Sequence, residues 1–179
     1  WNQFGITEAT LRYYNVSAVD LFWLYKEQRH PKVPSDPCYA YRIWSKHKLY
    51  RPLAPSKDDK FRNDFTERHI EGFCQLKYNQ DTLIITKANK ECMMFREYGY
   101  EAVASHSENN ILPEKALKFF ESKYKNIVVW YDNDGKTQAD KYPYDKVYVP
   151  VESGEKDPTD FRKRYGEEAT IKLIQQLIK

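Results

Sequence analysis

Asp132 and Asp134 stand two residues apart, with Gly135 behind them and the apolar run 127–130 in front. Carboxylates that close repel one another and call for a cation. Hard oxygen ligands on a short acidic turn favour Mg²⁺ or Mn²⁺ over zinc. A second acidic pair, Asp157 and Asp160, lies in EKDPTDF. Two such clusters converging from neighbouring strands can hold two divalent ions, which stabilise the entering and leaving oxygens of a phosphoryl transfer. Each cluster also has a plainer reading. Asp, Asn and Gly build turns in any protein, and Asp157 before Pro158 suits a helix start.

The elements around these residues decide whether they meet. In the back half LIIT (83–86), EAVA (101–104), IVVWYD (127–132) and VYVPV (147–151) read as short buried strands. Between them, ANKECMMFREYG reads as a helix stopped by Gly99, LPEKALKFFESKYK as one with Pro113 near its first turn, and GKTQADKY as a shorter one. EEATIKLIQQLIK closes the chain as an amphipathic helix. Alternating strands and helices predict an α/β fold with a parallel four-stranded sheet flanked by helices. Ligands of such sheets lie beyond the carboxyl ends of the strands, which is where both acidic clusters fall.

The front half has a different grammar. Thr7 or Glu8 opens a short helix, and Ser17 can cap a second over SAVDLFWLYKE. PKVPSDP is a proline loop. CYAYRIW (38–44) and HKLYRPLA (47–54) make a hairpin across Ser45 and Lys46, and 55–70 reads as a polar linker. A smaller α+β subdomain over 1–79 thus precedes the α/β domain at 80–179. Residues 1–79 hold 13 Lys and Arg against 9 Asp and Glu, and 15 aromatics. Basic residues interleaved with rings suit a nucleic-acid strand, with Arg51 and Lys60 as candidate contacts; most of those rings also suit a core. The three cysteines form no C-x-x-C, so neither a zinc site nor a disulfide framework is expected. No apolar run reaches the roughly 20 residues of a membrane span, and a cytoplasmic protein is expected. Beginning at Trp1, the chain reads as a piece of a longer one.

Several of these motifs, taken in order, resemble the TOPRIM domain of primases, topoisomerases and some nucleases. LIITKANKECM (83–93), ASHSEN (104–109), YDNDG (131–135), KDPTDF (156–161) and the upstream KLYRPLAPSKDDKF (48–61) look most like phage-type DNA primases. The resemblance implies Mg²⁺-dependent (or Mn²⁺-dependent) RNA primer synthesis on single-stranded DNA from ribonucleoside triphosphates. It also implies two ions on Asp132, Asp134, Asp157 and Asp160, a possible replicative helicase partner, and a host cytoplasm if the source is a phage. A zinc ribbon usually precedes such a core.

One departure stands out. The TOPRIM pattern places a Glu just after its first strand, and here Thr86 holds that place, followed by Lys87, with Lys90 where an acid is otherwise expected. Lys87 and Lys90 can clamp a triphosphate, or lie on a solvated helix face. Glu108 can supply the missing carboxylate, or serve only the first turn of a helix. The alternatives are a TOPRIM nuclease and a degenerate TOPRIM module that binds nucleic acid without chemistry. DNDGKT also imitates the loop of haloacid-dehalogenase-type phosphatases, but that family carries it on its first strand.

Overall fold

The protein is described by a computed structural model over residues 1–24, 28–31, 37–107 and 109–178. Residues 32–36 of the expected proline loop PKVPSDP (31–37) and Glu108 lie outside these described residues. Two compact units form, one from Trp1–Thr10 with Glu67–Lys179 and one from Leu11–Thr66. This division differs from a boundary at 79/80. Glu71 and Ala104 exchange both backbone hydrogen bonds at 2.9 Å, which draws the segment after residue 66 onto the sheet of the larger unit. At the chain start, Thr7 donates its N–H and hydroxyl to Glu97 Oε1 at 2.8 and 2.7 Å.

Helix α1 (Glu8–Tyr13) leads into the smaller unit. Strands β1 (Val16–Ala18), β2 (Leu21–Leu24), β3 (Gln28–Pro31), β4 (Tyr39–Ile43) and β5 (Lys46–Tyr50) follow, then helix α2 (Lys57–Lys60) and strand β6 (Phe61–Asn63). β1-β4-β5-β6 is an antiparallel sheet and β2-β3 a separate hairpin. The helix expected over SAVDLFWLYKE is therefore wrong over residues 17–24, and 25–27 lie outside the described residues. Val, Phe and Trp fit a pleated surface, and with partners available the strand–turn–strand arrangement overrides the helical spacing. The expected linker at 55–70 contains α2, capped by Ser56 Oγ, and β6, which completes the sheet. Lys46 pairs with Ile43, so the turn between β4 and β5 is Trp44–Ser45, with Trp44 at φ 54°.

The larger unit carries the parallel sheet, order β10-β9-β7-β8. Its elements are β7 (Thr82–Thr86), α3 (Asn89–Glu97), β8 (Glu101–Ala104), α4 (Glu114–Glu121), β9 (Asn126–Trp130), α5 (Lys136–Ala139), β10 (Asp145–Val147) and α6 (Pro158–Leu177). α6 is interrupted at Gly166, whose φ of 81° no helix interior uses. The strand expected at 147–151 ends early: Val147 pairs with Trp130, the last residue of β9, so no partner backbone lies beyond it, and Pro150 has no N–H for a ladder.

Both faces of the central strands are covered. Leu83, Ile85, Val103, Val129 and Tyr131 pack with Leu112, Phe120, Tyr124 and Tyr142 in one core cluster. The alternate residue Trp130 meets Phe95 of α3, ring centroids 5.2 Å apart. Period-2 alternation with both faces apolar is what a helix-covered parallel sheet requires. All three cysteines are free thiols, and no helix among the described residues is long and apolar enough to cross a membrane.

Candidate functional site

Register brings the strand ends level. Thr86 of β7 pairs with Ala104 of β8 on one side and Trp130 of β9 on the other. The residues that follow each of them share one layer. Thr86 itself is fully buried, and its Oγ1 donates to the Trp130 carbonyl at 3.0 Å. Where the TOPRIM pattern has a carboxylate, this chain has a hydroxyl committed to joining two strands.

Lys87 follows, and its ammonium donates to Asp132 Oδ2 at 2.6 Å across the strand ends. Both side chains are mostly buried, 20% and 14% exposed. Burial pushes the Asp132 carboxyl above the ordinary range even though Lys87 pulls the other way, with Asp157 and Asp134 adding to the rise. Asp134 sits in the same loop but near solvent. Lys156 donates to its Oδ2 at 2.9 Å, and this contact holds its carboxyl below the ordinary value.

Asp157 is the N-cap of α6, accepting the Asp160 N–H at 2.7 Å and the Thr159 hydroxyl at 2.6 Å. Lys90, in the first turn of α3, reaches Asp157 Oδ2 at 3.8 Å and Glu91 Oε1 at 3.9 Å, and lies 4.6 Å from the centre of the Phe4 ring. Burial raises the Asp157 carboxyl, but Lys90, Thr159 and two backbone N–H groups outweigh it and leave it lowered. Asp160 is raised, by burial first and then by Asp157. The helix-start reading of KDPTDF and its place in the acidic cluster therefore hold together.

Three residues that sequence reasoning passed over complete the site. Glu91 is 3% exposed, its Oε2 has no hydrogen-bond partner, and burial lifts its carboxyl to about 8. Glu71, fully buried, accepts the Asn89 N–H at 2.7 Å and so holds the start of α3. Asn133, between the two aspartates, donates through Nδ2 to the carbonyls of Val149 and Glu155 at 3.1 and 3.2 Å, and its N–H goes to Lys156 O at 3.0 Å. It fastens one acidic loop to the other. The available signals were the acid directly before the apolar run 92–95 for Glu91 and the Glu-Gly pair for Glu71; nothing in DND singles out its middle residue.

Arg51 and Lys60 belong to the smaller unit, joined there by an Arg51 N–H to Lys60 O hydrogen bond of 2.9 Å. The Lys60 ammonium lies 5.9 and 6.0 Å from the Tyr50 and Phe61 ring centres, and those rings stack at 5.1 Å. Tyr41 and Tyr50 are buried, so part of the aromatic excess is core.

A pair of divalent ions does not fit these side chains as they stand. Among the described residues no three His, Cys, Asp or Glu side chains are grouped to hold a metal ion. Asp132, Asp134 and Asp157 each face an ammonium instead.

No family model matches the chain, and no curated protein matches its sequence. Solved structures do match. The zinc-binding and RNA polymerase domains of the Aquifex aeolicus primase superpose with a TM-score of 0.66 at 14% identity, over 98% of this chain and 54% of that one. The fold is that of a primase catalytic core. A DnaG primase catalytic domain bound to single-stranded DNA gives a TM-score of 0.66 at 14% identity over 98% of this chain and 72% of that one. The primase catalytic core of E. coli gives 0.65 at 14% over 98% and 71%. The chain thus spans about half of the Aquifex protein fragment, and the primase-core fold covers 98% of its own length.

Proposed function

We propose that this chain is a DNA primase core of the phage type, joining ribonucleotides into a short RNA on a single-stranded DNA template. One observation carries the reading: the likeness to primase cores extends over both units, not just the parallel sheet. The motif LIITKANKECM favours the phage type. In this reading Lys87 and Lys90 take the triphosphate oxygens, and Asp132, Asp134, Asp157 and Asp160 form the acidic side of the same layer. Arg51 and Lys60 meet template phosphates, and Mg²⁺ or Mn²⁺ accompanies the nucleotide, as phosphoryl transfer commonly requires. Glu108 stays a candidate base. A replicative helicase and a cytoplasmic place of action belong to the same proposal.

Thr86, with its hydroxyl bound to the Trp130 carbonyl, favours one rival, a TOPRIM module that binds DNA without chemistry. Template-dependent incorporation of labelled ribonucleotides, assayed in the full-length protein, separates them. RNA products of defined length support the primase. Single-stranded DNA binding without products supports the rival, and shortened DNA supports a nuclease.

A further inference from the structure

The lysines at this centre stand where its chemistry calls for cations. Lys87 is bound to Asp132 at 2.6 Å, and Lys90 lies 3.8 Å from Asp157. All four side chains are mostly buried, 13–20% exposed, so neither ammonium is an incidental surface charge. The cluster also holds more acceptors than the lysines use. Glu91 Oε2 and Asn89 Oδ1 are buried without a hydrogen-bond partner, on residues 3% exposed. Glu91 lies within the electrostatic reach of Asp157, Asp132 and Lys90. A buried polar atom without a partner is costly, and both of these stand in the first turn of α3 beside Lys90.

We infer that Lys87 and Lys90 are the resident counter-ions of Asp132 and Asp157, and that the site takes a divalent cation only as these ammoniums transfer to an anionic ligand. A metal–nucleoside triphosphate suits that exchange. Its phosphates would receive Lys87 and Lys90, and Asp132 and Asp157, so released, would hold its cation, leaving no buried charge unpaired at either end. The free protein should therefore bind a bare divalent cation poorly, whatever the number of acids in the layer. The identity of the ligand as a nucleotide rests on the primase reading; the lysine occupancy does not.

Mn²⁺ alone is the first probe, titrated at constant ionic strength with free Mn²⁺ followed by electron paramagnetic resonance. Lys87→Gln should tighten Mn²⁺ binding about tenfold or more, since an ammonium no longer competes for Asp132. Lys90→Gln should give a smaller gain in the same direction, and it carries the test if Lys87→Gln does not fold. Lys125→Gln, which removes an exposed partner of Asp81, should change nothing. Parent protein that already binds Mn²⁺ as tightly as both site variants overturns the inference. In a second arm a non-hydrolysable ribonucleoside triphosphate is added to the parent with Mn²⁺, and joint binding should exceed what either shows alone. A gain in the lysine variants with no joint binding counts against the primase reading and leaves the counter-ions standing.

Discussion

Two lysine–aspartate pairs sit in one acidic layer, and they differ in depth. Lys87 and Asp132 are 20% and 14% exposed; Lys156 and Asp134 are 70% and 55% exposed. The contact lengths are similar, 2.6 and 2.9 Å, yet the two carboxyls move in opposite directions, Asp132 up by burial and Asp134 down by its lysine. In water an ammonium is one of many partners for a carboxylate, and the pair adds little. Out of water it is the partner the carboxylate cannot do without. Depth, not distance, decides which lysine the fold depends on.

The sharpest way to break this comparison is to remove each lysine in turn. Lys87→Met should cost about 3 kcal/mol of unfolding free energy at neutral pH, because it strands a buried carboxylate, whereas Lys156→Met should leave the urea midpoint unchanged. Equal midpoints for the two variants would mean that depth does not matter here. A smaller effect is expected of Asp157→Ala. It removes the cap of α6 and one of the carboxylates facing Lys90, and about 1 kcal/mol is the usual loss for such a cap. Asp157→Asn should recover most of that loss if capping dominates, and little of it if the charge facing Lys90 does.

The last effect is a slope in pH, not an offset between two variants. The Glu91 carboxyl rises from 4.5 to about 8 on folding, chiefly through burial. Between those values the folded chain holds a proton that the unfolded chain has released. Stability from this group is therefore present at acid pH and is lost as pH rises towards 8. Glu91→Gln, a neutral mimic of the protonated form, should flatten that decline when urea unfolding is compared at pH 5 and pH 8. A decline just as steep in the variant would place its origin elsewhere, Asp132 and Asp160 being raised as well.

Strands β7, β8 and β9 were legible because each is short and carries apolar residues on both faces, whereas β10, which holds Asp145 and Lys146, was expected too late in the chain. EAVA maps onto β8 residue for residue, and Gly99, at φ 82°, follows α3 as expected. The front half was harder to read. There the same Val, Phe, Trp and Leu residues satisfy a helical spacing and a strand–turn–strand equally well, and only pairing partners decide between them. At the site, sequence placed Asp132, Asp134, Asp157, Lys87 and Lys90 in one layer, and the structure brings them there. It could not show that the lysines and aspartates would bind one another. That depends on reach across strand ends, between residues 45 and 67 positions apart in the chain. Nor could it show that Thr86 would turn its hydroxyl to a neighbouring strand.

Glu71 and Gly72 carry a consequence for behaviour in a crowded solution. β8 is an edge of the parallel sheet, and an exposed edge invites a second molecule to add a strand. The chain's own Glu71 already occupies the pairing position opposite Ala104, so the final rung is taken at the end where the site lies. That close approach needs a residue without a side chain: a Cβ on Gly72, at φ 80°, would sit 2.3 Å from the Ala102 carbonyl oxygen. Any larger residue at 72 must push this segment away and reopen the rung. A chain so altered would be prone to self-association through its sheets, and solubility, rather than chemistry, would be the first property to fail.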